Sequence, residues 1–496
     1  MLTIPLLASA ATELEVAHSA QLAPFVLIAV LLALVTIYLA SRILGEIAIR
    51  LSLPPVLGEL IGGVIVGSSL LSLLVFGEGG GETLTHLAES SGIIRILQAT
   101  AGLETTAIGQ VFASQREIVD LLSEIGVIIL LFEIGLESDL KELIRVGPQA
   151  AVVAVVGVAV PFTLGTLGLI FAFHLPTIPS VFAGAALTAT SIGITARVLA
   201  ELQKLSTSEG QIIIGAAVLD DVLGIMILAV VAGLAKTGEI NLADIGLIVV
   251  SAVVFLVGSI VLGRLLSPYL VQLIDQLKTR GNPLVPALIL AFALAYVGQV
   301  IHLEAILGAF AAGLILGETE KRHDLEEQIR PISDLFVPIF FVCVGAKTNL
   351  AVLNPLIPAN REGLIIAIFL IGVAIVGKLV AGIGAFGKPG INRYAIGVGM
   401  IPRGEVGLVF AGVGAASGVL SDSLDVSIIV MVIVTTFIAP LWLRSALQAE
   451  PSPEATGSLL DLQAQVVGGE GDPDSASAQM GSRLIPEEES SGSISS

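Results

Sequence analysis

The sequence predicts an all-α membrane protein of about thirteen transmembrane helices, built from two inverted repeats. Apolar residues make up 55% of its 496 positions and charged residues only 13%, about half the charged share of a soluble protein. Glycine, which is common in transmembrane helices, occupies 54 positions, and part of its pattern recurs along the chain. This composition excludes a soluble enzyme, a disordered protein and a nucleic-acid-binding protein.

Apolar segments follow one another, separated by breaks that favour turns. The breaks hold Pro54-Pro55, Gly147-Pro148, Gly281-Asn282-Pro283 and Lys388-Pro389-Gly390, and proline and glycine commonly end a helix. Several segments are shorter than the roughly 20 residues that a full crossing needs. The predicted spans are 22–50, 55–70, 118–138, 147–173, 179–202, 209–235, 241–266, 283–301, 303–318, 331–346, 361–387, 390–418 and 423–446.

The loops predict the orientation, because Lys and Arg favour the cytoplasmic side of a membrane. Loops on the N-terminal side contain five of the 23 basic residues, and loops on the C-terminal side contain fifteen. The C-terminus is therefore predicted to be cytoplasmic and the N-terminus external. The five are Arg95, Arg116, Lys236, Lys347 and Arg361, and the three basic residues outside both sets are Lys378, Arg403 and Arg483.

The membrane domain is predicted to span residues 22–446, with a polar segment at either end. Residues 1–21 form an external segment without Lys or Arg, so we do not expect a cleaved signal peptide. Residues 447–496 are rich in Ser, Gly, Pro and acids, with Arg483 as the only basic residue. This composition is typical of a disordered tail, here cytoplasmic, and leaves open whether the tail binds a partner.

Two sets of glycines recur at fixed offsets and predict the inverted repeat. The motif Leu57-Gly58 with Gly63 and Gly67 recurs 250 residues later, and residues 135–140 resemble 345–350 at an offset of 210. Each pair lies seven spans apart, and an odd separation gives the copies opposite topology, as in secondary transporters. The offsets differ by 40, so the first copy carries an external insertion near 72–117.

Ionisable residues inside the apolar segments are the first candidates for function. Asp220 and Asp221 stand in the middle of their segment, where a charge costs several kcal/mol, roughly 3 on insertion scales. Neighbouring helix residues point about 100° apart, so one carboxylate can line a cavity while the other meets a counter-charge. Lys378 is the predicted counter-charge, either as a structural partner or as a proton carrier. Glu59 and Glu133 are interpreted as charges near loops rather than as parts of an ion path.

Two further segments carry polar residues at their centres. The residues are Thr190 and Ser191 in one segment and Pro402, Arg403 and Glu405 in the other. Proline removes a backbone hydrogen bond, and interrupted helices aim their termini and free carbonyls at an ion. We therefore predict that the two breaks cross at the midplane beside the aspartates. A kink without function, and mutual neutralisation of the arginine and the glutamate, are the alternatives.

Five motifs taken together carry a resemblance to a known family. They are Pro55-Val-Leu-Gly-Glu59, Leu131-Phe-Glu-Ile-Gly-Leu-Glu137, Asp220-Asp221, Lys378 and Pro402-Arg-Gly-Glu405. They resemble the NapA-type Na+/H+ antiporters of the bacterial cation:proton antiporter superfamily, including cyanobacterial members, over about 22–446. The resemblance implies two six-helix repeats joined by a linker helix, a homodimer, and an elevator movement of a core domain against a dimerisation domain.

The resemblance also implies roles for individual residues. The cation binds at Asp221, while Asp220 pairs with Lys378, and an Asp-Asp pair goes with electrogenic exchange. The unwound crossing maps to 190–191 and 403–405. Some relatives have an aspartate where Ser191 stands, which suggests that Glu405 supplies the acid at the crossing. The polar tail lacks a Gly-rich phosphate loop, so nucleotide gating of the Kef type is not supported.

We predict a secondary transporter, not an enzyme, that exchanges Na+ or Li+ for H+. K+/H+ exchange at the same site is the nearest alternative, and symport of an organic anion is a more distant one. An intramembrane aspartyl protease is excluded, because adjacent aspartates cannot face one another from different helices. One cysteine and five scattered histidines argue against a disulfide or a structural metal, and no cofactor is expected. The expected location is a bacterial inner membrane, or the thylakoid membrane of a cyanobacterium.

Overall fold

The computed structural model describes residues 3–76, 82–105, 107–237, 246–248, 250–255, 257–259, 261, 263, 265, 283–387 and 390–448. Regular structure among these residues is helical throughout, with no β-strand. The helices are α1 (Thr3–Arg50), α2 (Pro55–Val66), α3 (Glu82–Ser90), α4 (Gly92–Ala101), α5 (Ile108–Glu137), α6 (Leu140–Phe171), α7 (Thr177–Ala186), α8 (Ile192–Glu201), α9 (Ser208–Thr237), α10 (Leu284–Val300), α11 (Ala305–Gly317), α12 (Arg322–Ala346), α13 (Pro358–Gly382), α14 (Arg393–Gly399), α15 (Glu405–Ala416) and α16 (Asp422–Gln448).

The long apolar helices make the chain an integral membrane protein. Six stretches of the described residues are long and apolar enough to cross a bilayer: Leu22–Arg50, Leu140–Phe171, Ser208–Val231, Arg322–Leu353, Asn360–Gly382 and Asp422–Gln448. Shorter apolar helices, among them α2, α7, α10 and α11, lie between them. Much of the predicted span 241–266 and residues 449–496 of the predicted tail lie outside the described residues.

Several helices extend beyond the apolar segments that predict them. Helix α1 begins at Thr3, α5 at Ile108 and α12 at Arg322, and the predicted insertion contains α3 and α4. Charged residues at a helix end lower the hydropathy without breaking the backbone hydrogen bonds. In α12, Arg322 Nε lies 2.6 Å from Glu326 Oε1 one turn later, a pairing that supports helix outside the apolar core.

The helices pack as two bundles. The first bundle contains α1, α2, α5, α10, α11 and α12, and the second contains α6, α7, α9, α13, α14, α15 and α16. Two apolar cores serve the first bundle, one of them around Phe112 and the other around Phe132. The second bundle has a core around Phe182 and Phe410. Helix α8 packs on α9 of the second bundle and also on α5 and α2 of the first.

Glycines set the helix spacing in the first bundle. A Cβ at Gly63 of α2 would lie 2.2 Å from the Val342 carbonyl oxygen and 2.8 Å from Gly345 Cα of α12. A Cβ at Gly313 of α11 would lie 2.2 Å from the Phe132 oxygen and 2.8 Å from Gly135 Cα of α5. No side chain fits at such distances, so backbones touch directly, as small residues allow in membranes.

These contacts occur at corresponding positions of the two sequence repeats. Gly63 and Gly313 differ by the offset of 250, and Gly135 and Gly345 by the offset of 210. Gly58 and Gly308 also differ by 250 and make matching contacts. A Cβ at either glycine would lie 2.2 Å from a carbonyl oxygen of the preceding helix. The recurring glycines therefore make equivalent helix contacts.

Candidate cation-binding site

Two broken helices meet in the second bundle. The chain leaves helical structure between α7 and α8 at 187–191, and between α14 and α15 at 400–404. The Ser191 backbone N–H donates to the Pro402 oxygen at 2.9 Å, and Thr190 Oγ1 donates to the Met400 oxygen at 3.0 Å. Each break thus satisfies backbone groups of the other, which is how irregular backbone is tolerated within a membrane.

A buried ion pair lies beside the first break. Lys378 Nζ of α13 is 3.1 Å from Asp220 Oδ2 of α9, and both side chains are fully buried. The same ammonium donates to the Thr188 backbone oxygen at 2.7 Å, an acceptor that becomes available because the helix is broken there. Asp220 Oδ1 has no hydrogen-bond partner among the described residues. The pair is therefore strongly desolvated, and breaking such a pair on one side is costly.

Arg403 adds a second buried cation to the ion pair. Its side chain is fully buried, and its Nη1 donates to the Ala189 backbone oxygen of the other break. It also interacts electrostatically with Asp220, while its Nε and Nη2 have no hydrogen-bond partner in the described part of the chain. The predicted crossing of the two breaks brings Arg403 to the aspartates, but the sequence did not indicate Ala189 as its acceptor.

Asp221 faces a small pocket at the meeting point of the breaks. The pocket has a volume of about 10 Å³ and is lined by Asp221, Thr190, Ser191, Gly404 and Glu304, together with apolar residues. This is close to the space that one water-sized sphere needs. A Cβ at Gly404 would lie 2.8 Å from Ser191 Oγ, so glycine keeps the pocket open to a side-chain oxygen. Carboxylate and hydroxyl groups therefore line part of a space about the size of one water molecule.

A larger cavity adjoins the pocket. It encloses about 400 Å³ and shares Val127, Glu304, Ile306 and Val406 with the pocket. Glu124 and Gln299 add polar groups to a lining that is otherwise mostly apolar. Glu304, immediately before α11, was not among the sequence candidates, because it stands at the very start of the predicted span 303–318, where a charge is common. The cavity gives the pocket an approach from one end of the helices.

The remaining sequence candidates fall outside or beside this arrangement. Glu405 is the first residue of α15 after its break, but its side chain lies outside the described residues, so its predicted role at the crossing stays a prediction. Glu59 and Glu133 were interpreted as charges near loops, and each does lie within about five residues of a helix end. Both side chains are buried, at 7% and 9% exposed, and both feel the charge of Arg197.

A membrane-spanning helical fold with buried carboxylates beside two helix breaks is typical of a secondary transporter of small ions. The comparison with sequence families agrees, since the family described as "Sodium/hydrogen exchanger, transmembrane" matches residues 29–449. The chain belongs to this family.

Individual relatives place the chain within the family. It is 62% identical to the high-affinity Na+/H+ antiporter NhaS3 of Synechocystis sp., over 91% of this chain and 96% of that protein. It is 31% identical to the Na+/H+-K+ antiporter GerN of Bacillus cereus, over 82% of this chain and 94% of that protein. Among solved structures, the sodium proton antiporter MjNhaP1 of Methanocaldococcus jannaschii has the same fold, with a TM-score of 0.54, 18% identity, and coverage of 84% of this chain and 96% of that chain.

Proposed function

We propose that the protein is an electrogenic Na+(Li+)/H+ antiporter whose cation binds at Asp221. The observation that carries this proposal is the one-ion pocket at Asp221, next to the buried Asp220–Lys378 pair. A carboxylate in such a pocket holds either a proton or a cation, but not both. Exchange results when the site changes the side of the membrane that it faces only while Asp221 holds a proton or a cation, and not while the site is empty. The antiport activity named for NhaS3 supports the same assignment.

The buried charges indicate how exchange becomes electrogenic. With both aspartates ionised and with Lys378 and Arg403 protonated, the site is neutral. A cation at Asp221 leaves one excess positive charge in a low-dielectric surrounding, which disfavours the nearby lysine ammonium. If the lysine releases its proton as the cation arrives, the cation-loaded site is neutral and the proton-loaded site carries one positive charge. Two protons then move against one cation.

The pocket also bears on which solute is transported. A volume of about 10 Å³ has no room for an organic anion, and its carboxylate would repel one, so the symporter alternative loses support. K+/H+ exchange through the same site is the second candidate, because GerN is named for both Na+ and K+. Na+ and K+ differ in size and in the number of ligands that they require, so a transport measurement with each cation distinguishes the two candidate functions.

We propose that transport proceeds by an elevator movement of the second bundle against the first. The equivalent glycine contacts at offsets of 250 and 210 support an inverted repeat, and the ion pair, the breaks and Asp221 all belong to the second bundle or α8. We further propose a scheme of about thirteen helices with two crossing breaks and a C-terminus in the cytoplasm. The protein then works as a homodimer in the bacterial inner membrane or in a thylakoid membrane.

The proposed function is tested in proteoliposomes that carry an internal pH indicator and an imposed pH gradient. Addition of Na+ or Li+ should dissipate the gradient, while choline chloride at equal ionic strength should not. K+ added in the same series decides between the two cation specificities. Wild-type protein that moves no protons in response to Na+, Li+ or K+ would overturn the proposal.

A further inference from the structure

A second group of charges, in which two glutamates are buried and the other two residues are partly exposed, lies away from Asp221 and centres on Arg197 of α8. Arg197 Nε is 3.0 Å from Glu201 Oε1, one turn later in the same helix. Glu59 of α2 and Glu133 of α5 lie beyond ion-pair distance from Arg197, but within range of the electrostatic attraction of its guanidinium. We call these four residues the Arg197 cluster. It joins one arginine to three glutamates from three helices, and the exchange reaction uses none of them.

The two glutamates of the first bundle are fixed in place by hydroxyl groups of that bundle. Ser41 Oγ of α1 donates to Glu59 Oε1 at 3.0 Å, and Ser333 Oγ of α12 donates to Glu133 Oε2. Glu59 Oε2 has no hydrogen-bond partner among the described residues. A buried carboxylate needs an opposite charge to remain ionised at low cost. Arg197 supplies that charge to both glutamates from outside the bundle.

Helix α8 contacts both bundles, so the Arg197 cluster links one bundle to the other. Helix α8 begins at the first break, beside the cation pocket, and packs on α9 as well as on α5 and α2. At its first turn, a Cβ on Gly193 would lie 3.2 Å from the Phe340 ring of the first bundle. Toward its last turn, α8 packs on α2, and Glu201 lies close to the start of that helix. Both ends of α8 therefore contact the first bundle.

The Arg197 cluster and the cavity lie toward opposite ends of the helices. On α5, Glu124 lines the cavity, and Glu133 follows nine residues later, about 14 Å along a helix of 1.5 Å rise per residue. On α8, the chain passes the pocket at Ile192 and Gly193 and reaches Arg197 about one turn later. The cluster thus lies on the side of the pocket away from Glu124 and the cavity.

We infer that Arg197 is a positioning residue that holds α8 and the second bundle against Glu59 and Glu133 while the cavity is open. This inference rests on the proposed alternating access. To open the opposite end, the second bundle must move along the first, which separates Arg197 from the two glutamates. The Arg197 cluster therefore favours the conformation with an open cavity. If Arg197 instead had a purely local role and only paired with Glu201 to support α8, its removal would leave the equilibrium between the two conformations unchanged.

The test measures how readily the cavity admits a thiol reagent. Cys343 is the only cysteine of the chain and is buried, so Cys343→Ala with Leu228→Cys gives a parent whose single thiol lines the cavity. In detergent-solubilised full-length protein, Arg197→Gln should slow labelling by a bulky charged reagent at least about fivefold, the lower end of typical couplings between states. Arg197→Lys keeps the charge and should restore most of the rate.

Two further variants keep the test decisive. Glu326→Gln removes the partner of Arg322 within α12, a pair inside the first bundle, and should leave the labelling rate unchanged. Arg197→Gln combined with Glu59→Gln, Glu133→Gln and Glu201→Gln leaves no orphan charge in the cluster, and it should label as slowly as Arg197→Gln even if the single variant folds poorly. Unchanged labelling in this combined variant, or equal slowing by Glu326→Gln, would overturn the inference.

Transport by the parent separates this inference from the proposed function. If the parent exchanges Na+ for H+ in proteoliposomes but labelling ignores Arg197, the inference fails and the proposed function stands. If the parent moves no protons in response to any alkali cation while labelling still responds to Arg197→Gln, the proposed function fails and the link between the bundles stands.

Discussion

Neutralising both members of the buried ion pair should convert electrogenic exchange into electroneutral exchange. The change is Asp220→Asn with Lys378→Gln, which leaves Asp221 and Arg403 in place. In this double variant the proton-loaded site carries the arginine charge alone. The cation-loaded site carries the arginine, the cation and the ionised Asp221, which also sum to one positive charge. No net charge then moves per cycle, whereas the wild-type scheme moves one.

The single variants should differ from the double variant in stability, and from each other. Breaking a buried pair on one side costs about 3–5 kcal/mol, while replacing both partners leaves no orphan charge. Asp220→Asn leaves Lys378 and Arg403 as two buried cations, so its cost should lie near the upper end of that range. Lys378→Gln leaves Asp220 with Arg403 as a nearby cation, so its cost should lie near the lower end. The thermal unfolding midpoint in detergent should therefore fall most for Asp220→Asn and least for the double variant.

Two measurements on the same proteoliposomes check this reasoning. The ΔpH assay should show that the double variant still exchanges Na+ for H+, and solid-supported membrane recordings should show that its Na+-induced current has disappeared. The wild-type protein in the same preparation should give both signals. A persistent current in a double variant that exchanges Na+ would rule out Lys378 as a proton carrier and leave it a static partner of Asp220.

Three further predictions concern the pocket, the glycine contacts and the tail. Asp221→Asn should abolish Na+-driven proton movement without loss of folded protein, because it removes the carboxylate that protons and cations share; residual exchange above about half of wild type would contradict the site. Gly313→Ala should lower the free energy of unfolding by about 1–3 kcal/mol, because its Cβ would lie 2.2 Å from the Phe132 oxygen. Gly412→Ala, where no atom lies within 4 Å, is the matched control, and equal unfolding midpoints would refute the close contact. Deleting residues 450–496 should leave the ΔpH rate within about twofold, since the composition of the tail is that of a disordered segment; a collapse of activity in correctly inserted protein would give the tail a role.

The sequence was sufficient to find the charged residues of the site, but not to pair all of them. Asp220 and Lys378 stand out because charges are expensive within apolar runs, and opposite charges of similar depth suggest a partner. Mutual neutralisation of Arg403 and Glu405, two residues away, was one of the alternatives, and it stays a prediction. In the fold, Arg403 donates to the Ala189 oxygen and interacts electrostatically with Asp220. That pairing depends on how two broken helices approach each other, which hydropathy and spacing do not encode.

The Arg197 cluster was missed for a related reason. Glu59 and Glu133 each lie a few residues from a predicted loop, and a single charged side chain in that position is normally hydrated. The cluster becomes apparent only when α2, α5 and α8 are brought together, because its residues are distributed over 59–201. The glycine pattern was more informative. Backbone contact tolerates no side chain, so each close approach leaves a glycine that can be recognised at its repeat offset.

The difference in size between the cavity and the pocket has a pharmacological consequence. The cavity of about 400 Å³ is large enough for a compound of several rings, whereas the pocket beyond it has room for about one small ion. A bulky organic cation is therefore small enough for the cavity and too large for the pocket. Such a ligand would compete with the cation for access while being too large to be carried. The narrowing between the two spaces would then act as the receptor site of a blocker.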